Sequence, residues 1–133
     1  MIITDASFLV IALGDDGAEG ASARARLHGE DLAAPHLIDL EVTSVLRSAL
    51  RAGRMTAPRA SQALQDLADL DIERVVHTAL LARVWDLRDN YTAYDASYIA
   101  LAELFQAPLL TYDAKMARGA GARCTFEIFP EPP

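Results

Sequence analysis

Four acidic side chains stand where carboxylates can do chemistry: Asp5 in IITDASFLV, Glu41 in DLEVTSVLR, Asp95 in TAYDASYIALAE and Asp113 in LLTYDAKMA. Taken singly, three have ordinary structural uses. Asp5 and Asp113 each follow a short apolar run and open a helix, the setting of an N-cap that accepts a backbone N–H. Asp95 lies three residues after Thr92, the spacing of a capping box. Glu41 is different, because along its helix it falls on the stripe of Ile38, Val45 and Ala49. A carboxylate there must be paired, protonated, at the edge of the buried surface or bound to a cation. Asp95 repeats the pattern, sharing a face with Tyr98, Ile99, Ala102 and Phe105. If the four acids meet in one pocket, their repulsion raises some pKa values unless a divalent cation neutralises them. An all-oxygen set suits Mg²⁺ or Mn²⁺. His28, His36 and His77 are scattered without ligand spacing, which speaks against zinc. A carboxylate-held Mg²⁺ activates water and stabilises charge on a phosphoryl group, the chemistry of a phosphodiesterase.

Other side chains are candidates for support. Ser7, two residues after Asp5, and Thr111, two before Asp113, carry hydroxyls that can orient a water or a phosphate, or simply serve the turn and strand they occupy. Arg47, Arg51 and Arg54 at i, i+4 and i+7 form a positive stripe beyond Glu41, either a solvated helix face or an edge for RNA or a partner. Arg83 and Arg88 beside Trp85 add cation and stacking area, although a lone Trp more often packs in a core. No Gly-rich phosphate loop, Ser-centred nucleophile elbow or Cys/His pair competes with the carboxylates.

The elements that must position these groups follow from periodicity. Ile2 to Thr4 reads as a strand turning at Asp5 into a helix; residues 17–28 read as a surface helix, and Leu32 to Ala34 as a strand ended by Pro35. Ile38, Val42, Val45, Leu46 and Ala49 mark a helix over Leu37 to Leu50. Gly53 ends it, and Pro58 opens a second helix reaching Leu70, giving a helical hairpin. A strand over Ile72 to Val76 precedes a helix over Thr78 to Asp89, with Leu80, Leu81, Val84 and Leu87 inward. A helix over Ala93 to Phe105, the strand LLTY, one or two helical turns in DAKMARGAG and a strand over Cys124 to Phe129 complete one domain, 1–133, with a frayed tail from about 130. Short apolar strands alternating with helices predict an α/β fold, a parallel sheet covered on both faces. Ligands in such sheets bind beyond the carboxyl ends of the strands at the topological switch point, where Asp5 and Asp113 fall.

Composition restricts the partners. The 133 residues are 52% hydrophobic and 23% charged, with 12 Lys plus Arg against 19 Asp plus Glu, for a net charge of −7. That balance disfavours non-specific polyanion binding, so a nucleic-acid role needs a bound metal, a local basic face, or both. The lone Cys124 and the lack of a signal or membrane-spanning run lead us to expect a cytoplasmic protein with no membrane association.

In order and context the four acids resemble those of the PIN-domain ribonucleases, most closely the VapC toxins of bacterial VapBC toxin–antitoxin modules. The resemblance covers nearly the whole chain, and TAYDASYIALAE with LLTYD is specific in combination. It implies a Rossmann-like PIN domain, a central parallel sheet of about five strands in order 3-2-1-4-5, and a Mg²⁺- or Mn²⁺-dependent endoribonuclease. It also implies that Asp5 and Asp95 are the main metal ligands, that Glu41 and Asp113 complete the acidic pocket, and that Thr111 is the hydroxyl preceding the last acid. A homodimer and a cognate VapB-type antitoxin, docking near the hairpin of residues 37–70, are implied as partners. One departure is visible: some family members carry a further acid just beyond the fourth, whereas Ala114, Lys115 and Met116 follow Asp113 here. A one-metal mechanism, or a second metal recruited only with substrate, becomes the expectation, with Lys115 as a candidate phosphate contact. The alternatives are a nuclease-inactive module binding antitoxin or RNA, disfavoured by the complete acid set, and a phosphotransfer domain. Ser7, where the latter would carry a second acid, and the inward Glu41 disfavour it.

Overall fold

The computed structural model of the protein describes residues 1–132. Strands β1 (Ile2–Thr4), β2 (Leu32–Pro35), β3 (Ile72–Val75), β4 (Leu109–Thr111) and β5 (Phe126–Ile128) pair in parallel in the order β3-β2-β1-β4-β5. Helices α1 (Ala6–Gly14), α2 (Ala18–Leu27), α3 (Leu37–Arg51), α4 (Ala57–Asp69), α5 (Leu81–Asp86), α6 (Ala93–Phe105) and α7 (Ala114–Arg118) fill the connections. The chain steps from β1 outward to β3, then returns to place β4 on the other side of β1. Right-handed crossovers therefore put α1 and α6 on opposite faces, which explains why the central strands alternate no polar residues. Ile2, Ile3, Leu109 and Leu110 are all buried.

The reversal between β1 and β4 makes the switch point. Ile3 lies opposite Leu109 and Thr4 opposite Leu110, so β4 ends one residue beyond β1. The Asp5 N–H extends the ladder by donating to the Leu110 carbonyl at 3.2 Å. Asp5 and Asp113 thus emerge side by side, as the sheet reading requires.

One segment departs from its periodicity. The helix expected over 78–89 is a 3₁₀ turn, His77–Leu80, followed by the short α5. Leu80 and Leu87 form the buried line, while Leu81 is 53% exposed and Trp85 66% exposed. The tighter turn rotates Leu81 outward, and Trp85, one turn later, follows it out of the core. The last strand is shorter than expected; Cys124 and Thr125 precede it, although the Leu109 N–H still bonds the Thr125 carbonyl at 2.9 Å. Of the tail called frayed, residues 130–132 are exposed outside any helix or strand, and Pro133 lies outside the described residues. Among the described residues no helix is long and apolar enough to cross a membrane.

Candidate active site

Asp5 is the residue at which β1 becomes α1. Its Oδ1 accepts the Phe8 N–H at 3.0 Å, capping the helix, and the Ser7 hydroxyl at 2.7 Å. Its Oδ2 accepts the hydroxyl of Thr111 at the end of β4. Thr111 Oγ1 in turn accepts the Asp113 N–H at 2.9 Å, and Ser7 Oγ accepts the Tyr112 N–H at 2.9 Å. Two hydroxyls therefore tie the ends of β1 and β4 together, and Phe8 packed edge-on against Phe129 at 4.8 Å supports them from below. Thr111 is fully buried, and its hydroxyl links the Asp5 carboxylate to the Asp113 N–H.

Asp113 caps α7, its Oδ1 accepting from Lys115 N at 2.9 Å and Met116 N at 3.4 Å. The structural and chemical readings of Asp5 and Asp113 are compatible, because a carboxylate offers about four acceptor positions and capping consumes only some of them. Asp95 behaves otherwise. Thr92 Oγ1 accepts the Asp95 N–H at 3.1 Å, yet the Asp95 carboxylate makes no return bond, so only half of the capping box forms. Both of its oxygens are left for other use.

Glu41 lies on α3 at the border of the core, half-buried, where the Tyr98 hydroxyl of α6 donates to its Oε1 at 2.6 Å. Tyr98 is 1% exposed, and burial, then the bond to Glu41, push its pKa above the ordinary tyrosine range. It therefore stays a donor; periodicity placed it correctly on the inward face but gave no sign of its bond to Glu41. A signal existed: a buried tyrosine hydroxyl needs a partner, and Glu41 was a stripe carboxylate without one.

The four acids line one cavity of about 310 Å³, together with Ser7, Ser44 and Tyr98. Burial, followed by the charges of Asp113, Glu41 and Asp5, pushes the Asp95 carboxyl up to about 6. Asp5 is also raised, chiefly by burial, against the lowering effect of its hydrogen bonds from Ser7, Thr111 and the Phe8 N–H. Among the described residues no three His, Cys, Asp or Glu side chains stand close enough together to hold a metal ion as they are placed. The donor set still fits a hard divalent cation: carboxylates and hydroxyls only, around an open cavity suited to an ion that retains part of its water shell.

Residues 2–122 match the PIN domain family. This chain belongs to that family. Ribonuclease VapC9 of Mycobacterium tuberculosis is 38% identical over 130 residues, which span 98% of this chain and 99% of the relative. The solved PIN-fold neighbours include PAE2754 of Pyrobaculum aerophilum, with a TM-score of 0.69 and 25% identity over 96% of this chain and 83% of that one. They also include VapBC2 of Rickettsia felis bound to a DNA fragment from their promoter, with a TM-score of 0.67 and 14% identity over 96% and 98% of the two chains.

The PIN fold gathers some of the expected side chains and leaves others outside. Asp5, Ser7, Glu41, Asp95 and Asp113 share the cavity, with Thr111 buried behind it. Lys115 is exposed and absent from the lining. Arg88 sits over the Trp85 ring, 4.6 Å from its centroid. Arg47, Arg51 and Arg54 are exposed without a carboxylate partner among the described residues, whereas Arg26, Arg59, Arg74 and Arg83 are all ion-paired.

Proposed function

We propose that this chain is the toxin of a type II toxin–antitoxin pair, a Mg²⁺- or Mn²⁺-dependent endoribonuclease built as one domain over 1–133 and acting in the cytoplasm. The convergence of Asp5, Glu41, Asp95 and Asp113 at the β1/β4 switch point carries this reading. The VapC names of its full-length relatives support it. Asp95, with both oxygens free, and Asp5, with acceptor capacity left on Oδ2, are assigned as the main ligands; Glu41 and Asp113 complete the set. A divalent ion held by these carboxylates would supply Lewis-acid stabilisation of charge on the phosphoryl oxygens. Ser7 and Thr111 hold Asp5 in place by direct hydrogen bonds. Tyr98 occupies Glu41 Oε1, which leaves Oε2 free to take a proton from the attacking water.

Purified protein incubated with total RNA in Mg²⁺ or Mn²⁺ is expected to yield discrete fragments that disappear in EDTA and in Asp95→Asn. Cleavage that survives EDTA would overturn the metal assignment, and cleavage by neither metal form would overturn the ribonuclease. Tyr98→Phe is expected to keep the fold and lower kcat about 10–100-fold, the usual cost of losing a bond that orients a ligand. An unchanged kcat would remove Tyr98 from the site.

The unpaired Arg47 and Arg51 extend from the pocket along α3 and are assigned to substrate phosphates. Each Arg→Ala change is expected to reduce the salt dependence of RNA binding by about one unit of slope while leaving kcat alone. The α3–α4 hairpin carries Leu50 and Leu64, 41% and 43% exposed, and is assigned as the surface for a VapB-type antitoxin. A homodimer is the proposed oligomer.

A further inference from the structure

The helix that Asp113 caps is short. α7 has five residues, of which Met116 alone is buried, and so brief a helix has little stability of its own. Its placement depends on what holds it. Asp113 fixes the N-terminal end, accepting from Lys115 N and Met116 N. At the other end the Met116 carbonyl accepts the Gly119 N–H at 3.3 Å and the hydroxyl of Tyr91 at 2.9 Å. Met116 also lines the acidic cavity. Tyr91 immediately precedes Thr92, the cap that starts the helix bearing Asp95. One hydroxyl therefore joins the beginning of α6 to the helix that follows Asp113.

This contact leaves little room for change. Tyr91 is 8% exposed, and burial raises its pKa above the ordinary tyrosine range, so the hydroxyl keeps its proton and donates. Its ring lies against Gly119, where a Cβ would fall 2.5 Å from the ring and from the hydroxyl oxygen. The Gly119 backbone, with φ −66°, suits any residue, so close approach rather than conformation calls for glycine. The chain beyond α7 is held to the same pair of helices. Arg83 of α5 donates to the Gly121 carbonyl at 2.7 Å, and Glu103 of α6 accepts the Arg123 N–H at 2.7 Å.

The spacing so fixed matters to the acids. Among the described residues they do not stand close enough to hold an ion as placed, so the carboxylates must reach inward. How far each reaches is set by the helix beneath it. Of the charges acting on Asp95, that of Asp113 has the largest effect. We propose that Tyr91 is a positioning residue: its hydroxyl, packed on Gly119, fixes α7 against the start of α6 and so sets the spacing of the two ligands Asp95 and Asp113. This inference rests on the metal-dependent reading of the pocket. Tyr98 orients Glu41 by direct contact, whereas Tyr91 acts one step further out, through the backbone of α7.

Mn²⁺ binding to the whole chain, followed through the EPR signal of the free ion, tests this without turnover. Tyr91→Phe is expected to weaken binding about tenfold, the lower end of the cost of disturbing groups that orient metal ligands. Its Tm in EDTA is expected to stay within about 5 °C of the wild type, since only one hydroxyl bond is lost. Gly119→Ala, which displaces the ring but keeps the hydroxyl, should weaken binding to a similar extent. In an Asp113→Asn background the further change Tyr91→Phe should cost less than about twofold, because the two act through one group. Unchanged Mn²⁺ affinity in Tyr91→Phe overturns the positioning role and leaves the tyrosine as core packing. A tenfold loss that persists in the Asp113→Asn background also overturns it, since Tyr91 would then act on the fold at large. A wild-type chain that binds no Mn²⁺ overturns the metal-site reading, and this inference with it.

Discussion

Asp95→Asn is expected to abolish cleavage and, at the same time, to stabilise the metal-free protein. The loss of activity follows from the position of Asp95, whose carboxylate lines the acidic cavity with no other hydrogen-bonding duty. A fall of at least 10²–10³ is the ordinary cost of removing one group that stabilises charge in such a site. The gain in stability follows from its environment. Burial and three neighbouring carboxylates hold its pKa at about 6, against an ordinary aspartate value of 3.8. The folded chain thus keeps this proton more tightly than the unfolded one, and the group's favourable contribution is present below about pH 4 and lost as pH rises through about 6. Asparagine cannot ionise, so the variant escapes that loss. Discounted for partial solvent exposure, the difference is about 1 kcal/mol, roughly 3–5 °C in Tm for a chain of this size. Thermal melts in EDTA should show the two proteins alike near pH 4 and the variant ahead at pH 7. Saturating Mg²⁺ or Mn²⁺ should reverse the order, since only the wild type gains from binding. A variant that melts below the wild type in EDTA at pH 7 would show that repulsion among the acids is not what sets the cost.

Asp5→Ala is expected to be equally inactive but to move stability the other way. Asp5 closes the first turn of α1 through the Phe8 N–H and accepts two hydroxyls, one from the fully buried Thr111. Losing the cap costs about 1 kcal/mol, and stranding a buried hydroxyl about 1–3 more. Release of a buried carboxylate offsets part of this, leaving a net loss of about 2 kcal/mol and a Tm lower by roughly 5–8 °C. Asp5→Asn keeps an acceptor at Oδ1 and should melt closer to the wild type while remaining inactive. Equal melting of Asp5→Ala and wild type would mean that the β1–β4 tie contributes nothing to the fold. Opposite signs from two essential acids would separate the one that is only chemical from the one that also builds the switch point.

Much of this was legible in advance. The 3.6-residue stripe of Ile38, Val42, Val45, Leu46 and Ala49 marked α3; Ile38, Val42 and Leu46 are buried and Ala49 half-buried, whereas Val45, beside the acidic cavity, is 40% exposed. The parallel order with β1 central agrees with the expected arrangement. What failed was local: Leu81 was expected inward with Leu80, Val84 and Leu87, yet a 3₁₀ turn of four residues shifted the inward face, and the lone Trp85 that a core more often takes is exposed as well. What was missed was non-local. Tyr98 and Glu41 are 57 residues apart, and nothing in either helix alone announces a 2.6 Å bond between them.

Residue type and spacing alone determined most of the strands and helices, which acids follow a strand, and that the set carries only oxygen donors. These properties are set within a turn or two of chain by side-chain period and capping. Tertiary structure alone decided that Asp5 is locked by Thr111, that Tyr98 holds Glu41, and that Asp95 is left without a partner. Strand order and helix crossing choose those neighbours, because a side chain's partner and its burial depend on what the fold brings against it rather than on what precedes it in the chain.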